Sequence, residues 1–305
     1  MHVYTPSKTY QTFLKAHLPE DITLCDDPNK ADVFITGNFS KDDGSENLKA
    51  VIIPFAGHNG IDLDAIESRG IKLFNTQAHA VYVAEKALKL TLGIMGNVQI
   101  YHENLRQKHW SNRHSHKRIP WTTLVNKRVG IYGFGAIGKH FKRFIEPFEC
   151  TINVIDRGKD YGDAIARKDI YDLTANSDVI VIAAPLLNST LDAFDDSVLK
   201  TMQDKFLINV GRGPIINEDA LYHRLSDGTL KGFASDVWYQ YPKKDEPVAP
   251  SKHPIHELKN VLLSPHFGGF NDQAQKKMRH QVLETLIKLS EGDDSDALNI
   301  DKLRQ

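Results

Sequence analysis

Arg128-Val129-Gly130-Ile131-Tyr132-Gly133-Phe134-Gly135-Ala136-Ile137-Gly138 is the stretch on which the fold turns. A strand-like run ends at Tyr132, three glycines follow at the spacing Gly-x-Gly-x-x-Gly, and a helix reads near 137–148. Each glycine answers a different steric demand. Gly133 allows the tight turn, Gly135 lets a pyrophosphate approach the backbone, and Gly138 lets the helix pack closely on the strand. The N–H groups around Gly135, Ala136 and Ile137 and the helix dipole favour that anion. Alone the motif is weak; between a strand and a helix it is specific for a dinucleotide.

Downstream, strands read at 151–155, 178–183, 205–210, 232–235 and 261–263. Helices read between them near 195–202 and 218–226. Strands linked by helices imply parallel pairing, so an α/β fold with a doubly wound Rossmann sheet is expected. The next strand ends at Asp156, about twenty residues beyond the glycines, where a carboxylate accepts the ribose hydroxyls of NAD and repels the 2′-phosphate of NADP. Arg157 beside it partly offsets the repulsion, so NAD is favoured over NADP without NADP being excluded.

Upstream, strands read at 33–36, 50–55 and 71–74, and residues 80–105 carry apolar side chains at helical spacing as one long helix. Gly93 and Gly96 within it lower helix propensity and mark close packing or a bend. Residues 106–118 hold five basic residues and three histidines, which reads as a solvated arm or subunit-contact loop rather than a nucleic-acid patch. The expected domains are 1–99 with 286–305, and a dinucleotide-binding domain at 100–285. The helix near 272–290 carries the chain back, and a cleft between two such domains suits a small ligand.

Bulk properties exclude other classes. A net charge of −1 gives no field for nucleic acid or an acidic membrane. Two cysteines are too few for a disulfide framework or a zinc site, and no metal is expected. No apolar run reaches bilayer length and residues 1–15 lack a signal-peptide pattern, so a cytoplasmic protein is expected.

Further motifs give the chain a resemblance over nearly its whole length. These are Ala56-Gly57-His58-Asn59-Gly60-Ile61-Asp62, Asn75-Thr76, Val83-Ala84-Glu85, Pro185-Leu186 through Thr190, Asn209-Val210-Gly211-Arg212-Gly213, Ser235-Asp236-Val237 and Ser264-Pro265-His266-Phe267-Gly268-Gly269. In that order and spacing they resemble the D-isomer-specific 2-hydroxyacid dehydrogenases. The resemblance implies a Rossmann domain plus a smaller flavodoxin-like α/β substrate domain, and hydride transfer between NAD(H) and a small 2-oxo or D-2-hydroxy acid. It implies that the amides of Ala56, Gly57 and His58 hold the substrate carboxylate, and that Ala184, Pro185, Thr190, Val210, Gly211 and Asp236 face the cofactor. It also implies a homodimer formed through residues around 100–120.

Chemistry alone leaves Arg212 open as a carboxylate grip, a phosphate contact or a surface residue. The resemblance makes it the cation that grips the carboxylate and polarises the 2-oxo group, a task its planar fork suits. His266, by itself a plain loop histidine, becomes the general acid/base. Asp236 becomes part of the nicotinamide environment rather than a mere strand-end cap.

One position departs from the family. A glutamate that keeps the histidine protonated usually stands five residues after the strand-end aspartate; here Asp236-Val237-Trp238-Tyr239-Gln240-Tyr241-Pro242 puts Tyr241 there. A carboxylate at contact distance is worth up to ~4 kcal/mol at an effective dielectric near 20, and a histidine left at ~6.5 is about a tenth protonated at pH 7.5. Two accounts stand: Tyr241 orients the imidazole through its hydroxyl, which is preferred, or Glu246 folds back. Formate dehydrogenases also lack the glutamate but carry glutamine, which Tyr241 is not. Phe55, His58, His79, Trp238 and Tyr241 are expected around the substrate or else in packing. The alternative function is an NAD(H)-sensing binding protein of the same fold with weak or lost catalysis.

Overall fold

The computed structural model describes residues 1–304 apart from 115 and 245. Two compact units result: Met1–His79 with the chain from Phe270 on, and Ala80–Gly269. The first begins with β1 (His2–Tyr4), α1 (Lys8–Lys15), β2 (Thr23–Leu24), β3 (Val33–Ile35), β4 (Ala50–Ile53), α2 (Leu63–Ser68) and β5 (Lys72–Asn75). Its strands pair in parallel in the order β2-β1-β3-β4-β5, which is the flavodoxin-like order. Strand periodicity sorts the side chains: Val33, Ile35 and Ile52 join Val3 and Leu14 on one face, while Phe34, Val51 and Ile53 join Ile66 and Leu73 on the other.

The second unit contains α3 (Ala80–Met95), α4 (Val98–Arg106), β6 (Arg128–Tyr132), α5 (Ala136–Ile145), β7 (Thr151–Ile155), β8 (Ile165–Arg167), α6 (Ile170–Ala175) and β9 (Val179–Ile182). It continues with α7 (Asp196–Lys200), β10 (Lys205–Asn209), α8 (Glu218–Ser226), β11 (Leu230–Ser235) and β12 (Val261–Leu263). The parallel sheet runs β12-β11-β10-β9-β6-β7-β8, the Rossmann order with one strand added at an edge. Both faces are covered, so its inner strands are apolar throughout: Val179, Val181 and Ile208 pack on one side, Ile180, Ile182 and Leu207 on the other. The switch point between β6 and β9 is where a doubly wound sheet opens a crevice for ligand.

The long helix expected over 80–105 is two helices. Asn97 adopts the left-handed region (φ 52°) and ends the run. Gly93 lets α3 lie close to β12, since a Cβ there would come within 2.8 Å of the Leu262 side chain. The unit boundaries also differ from 99/100 and 285/286. Ala87, Leu90 and Ile94 of α3 sit in the same core cluster as Val129, Phe206 and Ala234, which ties α3 to the seven-stranded sheet. Conversely, α9 (Asp272–Ser290) sends Val282 and Leu286 into the cluster of Val3 and Leu14. It belongs to the first unit, which closes with α10 (Ile300–Arg304). Among the described residues no helix is long and apolar enough to cross a membrane.

Candidate active site

At the carboxyl edge of the seven-stranded sheet, three turns meet backbone to backbone. Gly133 has φ 100°, and a Cβ there would collide with the backbone of Ala184, which follows β9. A Cβ on Gly211, after β10, would strike the Ala184 carbonyl, and one on Gly138 the Gly133 carbonyl. Gly135 differs. It caps α5, and a Cβ there would meet no protein atom within 4 Å. Internal packing requires the other glycines but not this one; close approach of a ligand does. The amides of the first turn, Ala136 and Ile137 included, have no partner within the helix and suit an anion. Beside them lies a cavity of about 510 Å³ walled in part by Gly135, Lys139, Lys159 and Tyr161.

Pairing of Ile131 with Val154 sets Asp156 level with Gly133 on the adjacent strand end. One Asp156 carboxylate oxygen accepts from the Gly158 N–H at 2.8 Å, and both Asp156 and Arg157 are exposed. The Thr190 hydroxyl donates to Pro185 O at 2.7 Å and accepts from the Leu187 N–H at 2.8 Å, so its first task is to close its own loop. Val210 is buried, with its N–H on Ile182 O.

Further along the same edge, Asp236 is the brace. Only 2% exposed, it accepts from the Ser264 hydroxyl, from the Phe267 N–H at 3.0 Å and from the Gly268 N–H at 2.7 Å. These bonds bend the chain around His266, which takes a left-handed φ of 61°. Asn209 braces the neighbouring loop: its side chain accepts from Gly211 N–H and donates to Arg212 O. The Arg212 guanidinium also touches Gly211 O at 2.7 Å. Burial draws the Arg212 pKa down while Tyr241 opposes; a guanidinium remains charged regardless. Burial, and then Arg212, hold His266 below the ordinary histidine value, with Asp236 pulling the other way. Tyr241 lies ring against ring with His266, centroids 5.4 Å apart. Arg212, Asp236, Tyr241 and His266 therefore form one electrostatic cluster.

In the first unit, the Ala56 carbonyl accepts from the Asn75 side chain at 2.8 Å, which fixes the turn after β4. No hydrogen bond engages the Ala56 or Gly57 amide among the described residues. Phe55 rests over Gly37, where a Cβ would enter its ring. His79 is the last residue of this segment.

Residues 88–268 match the D-isomer specific 2-hydroxyacid dehydrogenase, NAD binding domain, family. The chain belongs to this family. Glyoxylate reductase of Thermofilum pendens is 27% identical over 286 residues, covering 92% of this chain and 81% of that protein. Glyoxylate/hydroxypyruvate reductase A of Arabidopsis thaliana is 32% identical over 245 residues, covering 79% and 74%. The NAD-dependent formate dehydrogenase of Staphylococcus aureus, solved with NAD, is 26% identical with a TM-score of 0.79, covering 98% of this chain and 99% of its own.

Within this 2-hydroxyacid dehydrogenase frame, both expected supports for His266 need correction. The Tyr241 hydroxyl does not bond the imidazole; it accepts from the Trp238 N–H at 2.9 Å, because the chain from Trp238 to Tyr241 folds back on itself. Glu246 is exposed, and the charges bearing on His266 are those of Arg212 and Asp236. Ser264 and Asn209 open two of the family motifs but have no role assigned from sequence, and the Trp238 amide is not foreseen at all. Serine before proline and asparagine at a strand end are common loop residues, and an amide leaves no mark in a sequence.

Proposed function

We propose that this family member is a 2-oxo acid reductase, transferring hydride between NAD(H) and a small D-2-hydroxy acid or its 2-oxo acid. The observation that carries the reading is the cluster of Arg212, Asp236, Tyr241 and His266 on the same sheet edge as the Gly133–Gly138 turn. Gly133, Gly135, Ala136, Ile137 and Gly138 would cradle the pyrophosphate, and Asp156 the adenosine ribose, with NAD favoured over NADP. Ala184, Pro185, Thr190, Val210, Gly211 and Asp236 would shape the nicotinamide end. The cofactor, when bound, supplies or accepts the hydride.

Arg212 grips the carboxylate and polarises the carbonyl, placing positive charge where negative charge develops. His266 acts as general acid/base. The uncommitted amides of Ala56 and Gly57 support a carboxylate-binding role for the turn that ends at His58. His79, one of the aromatic residues expected around the substrate, is assigned to it here. The expected partner is a second copy of the chain, docked through the arm that exposes Trp110 and Trp121 at 66% and 60%. Large apolar side chains this exposed mark an association surface; Ser115 within the arm lies outside the described residues. Localisation in the cytoplasm remains part of the proposal.

The test is a panel of glyoxylate, hydroxypyruvate, pyruvate and bulkier 2-oxo acids with NADH and NADPH, followed by absorbance of the reduced cofactor. Turnover with NADH is expected. Binding of NADH with no turnover on any of them would leave an NAD(H)-sensing protein instead.

A further inference from the structure

We infer that the Tyr241 hydroxyl itself donates the proton to the reduced carbonyl at neutral and alkaline pH, with His266 serving on the acid side. The inference rests on reading the chain as a 2-oxo acid reductase and gives Tyr241 a task other than supporting His266. It begins from a deficit. Among the described residues no carboxylate hydrogen-bonds His266; Asp236 favours its charge only from a distance, and burial and Arg212 outweigh it, so the surroundings favour the neutral ring. A histidine with an ordinary pKa of ~6.5 is already only about a tenth protonated at pH 7.5, and His266 lies below that. The N–H of a neutral imidazole is a far weaker acid than a phenol, which is therefore the better proton donor to an alkoxide.

Tyr241 is placed and polarised for the work. A phenol oxygen can accept and donate at once. The Trp238 N–H occupies one lone pair, and no acceptor takes the hydroxyl proton among the described residues. Trp238 is itself immobilised. Its indole donates to Ser264 O at 2.8 Å, and its carbonyl abuts Gly213, where a Cβ would collide with it. One backbone amide, pinned between the Arg212 loop and the His266 loop, thus fixes the phenol oxygen.

The same amide would stabilise a phenolate by a charge-assisted hydrogen bond, and Arg212 acts in the same direction. Burial opposes both and keeps the phenol protonated across the working range, with Asp236 adding to that effect. Glu246 and His256 share a cavity of about 910 Å³ with Tyr241, yet neither is among the charges bearing on it. At 46% exposure, Tyr241 stays open to reprotonation from solvent.

The step balances. C2 of the 2-oxo acid receives hydride from the reduced dinucleotide, and the carbonyl π pair moves to oxygen. That oxygen bonds the Tyr241 proton, leaving a phenolate and the oxidised dinucleotide. Water then returns a proton to the phenolate.

The test compares reductive kcat/KM from about pH 5.5 to about pH 9.5 for the wild type, Tyr241→Phe and His266→Gln, using the best 2-oxo acid of the panel. The wild type should hold a plateau above neutrality. Tyr241→Phe should match it within about threefold at the acid end, then fall roughly tenfold per pH unit. His266→Gln should keep an alkaline plateau. NADH binding by fluorescence confirms that each variant is folded. A Tyr241→Phe profile superimposable on the wild type overturns the inference, as does a wild-type rate that itself falls tenfold per unit above neutrality. Absence of wild-type turnover on every 2-oxo acid defeats the underlying reading instead, before any variant is made.

Discussion

The two units clamp their carboxyl-edge loops with acceptors of different charge. In the Ala80–Gly269 unit the buried Asp236 carboxylate gathers Ser264, Phe267 and Gly268. In the other, the neutral Gln281 carbonyl oxygen gathers the Thr76 hydroxyl and the Gln77 and Ala78 amides. Both solve the same backbone problem, three donors needing one acceptor where a strand gives way to a loop. Only the charged clamp also acts at a distance, raising the His266 pKa against burial and Arg212. A carboxylate thus holds the loop that carries His266, and an amide suffices at the loop after β5.

The sharpest way to break this contrast is to remove chemistry from the charged side. Arg212→Ala should lose ~3–4 kcal/mol of transition-state stabilisation, roughly a hundred- to a thousandfold in kcat/KM. NADH affinity, measured by fluorescence titration, should remain. An active Arg212→Ala enzyme would separate the cluster from catalysis altogether.

Exchanging the clamps probes their charge directly. Asp236→Asn turns a donor toward donors and should cost about 2–3 kcal/mol in denaturant unfolding. Gln281→Glu keeps its acceptor and should stay within about 0.5 kcal/mol of wild type. Equal costs would mean that charge is incidental to the clamp.

Asp156→Ser tests the cofactor end of the charged unit. Removing the carboxylate beside Arg157 should improve kcat/KM for NADPH by on the order of tenfold, since about 1.4 kcal/mol of repulsion is relieved. An unchanged ratio of NADH to NADPH use would take Asp156 out of cofactor choice.

The smallest effect expected is a displaced titration. Tyr241→Glu places an opposite charge beside His266, which favours the imidazolium and raises its pKa. Because reduction needs the protonated ring once the phenol is gone, its rate should be lost about one pH unit higher than in Tyr241→Phe. Coincident profiles would mean that position 241 does not reach the imidazole.

Regular elements of the Ala80–Gly269 unit were legible wherever apolar runs lay between glycines; β6, β7, β12 and α8 fall where periodicity put them. The start of the chain was less so. Strands of two or three residues such as His2–Tyr4 and Thr23–Leu24 are too short to establish a period, and α2, like α6 in the Ala80–Gly269 unit, has only six residues. Motifs located Arg212, Tyr241 and His266 but not the bonds they make. Whether the Tyr241 hydroxyl faces the imidazole or the Trp238 amide depends on a backbone turn, which side-chain identity does not encode.

The left-handed backbone at His266 has a thermodynamic corollary. Only glycine, and to a lesser degree asparagine, adopts that region without penalty, so His266 sits there at a cost of about 1 kcal/mol or more. The fold would be more robust with glycine at position 266, and the same replacement would remove the imidazole proposed to serve on the acid side. The loop around His266 thus holds a strained backbone in place through the three donors gathered by Asp236, so weakening that clamp should release the strain along with the loop.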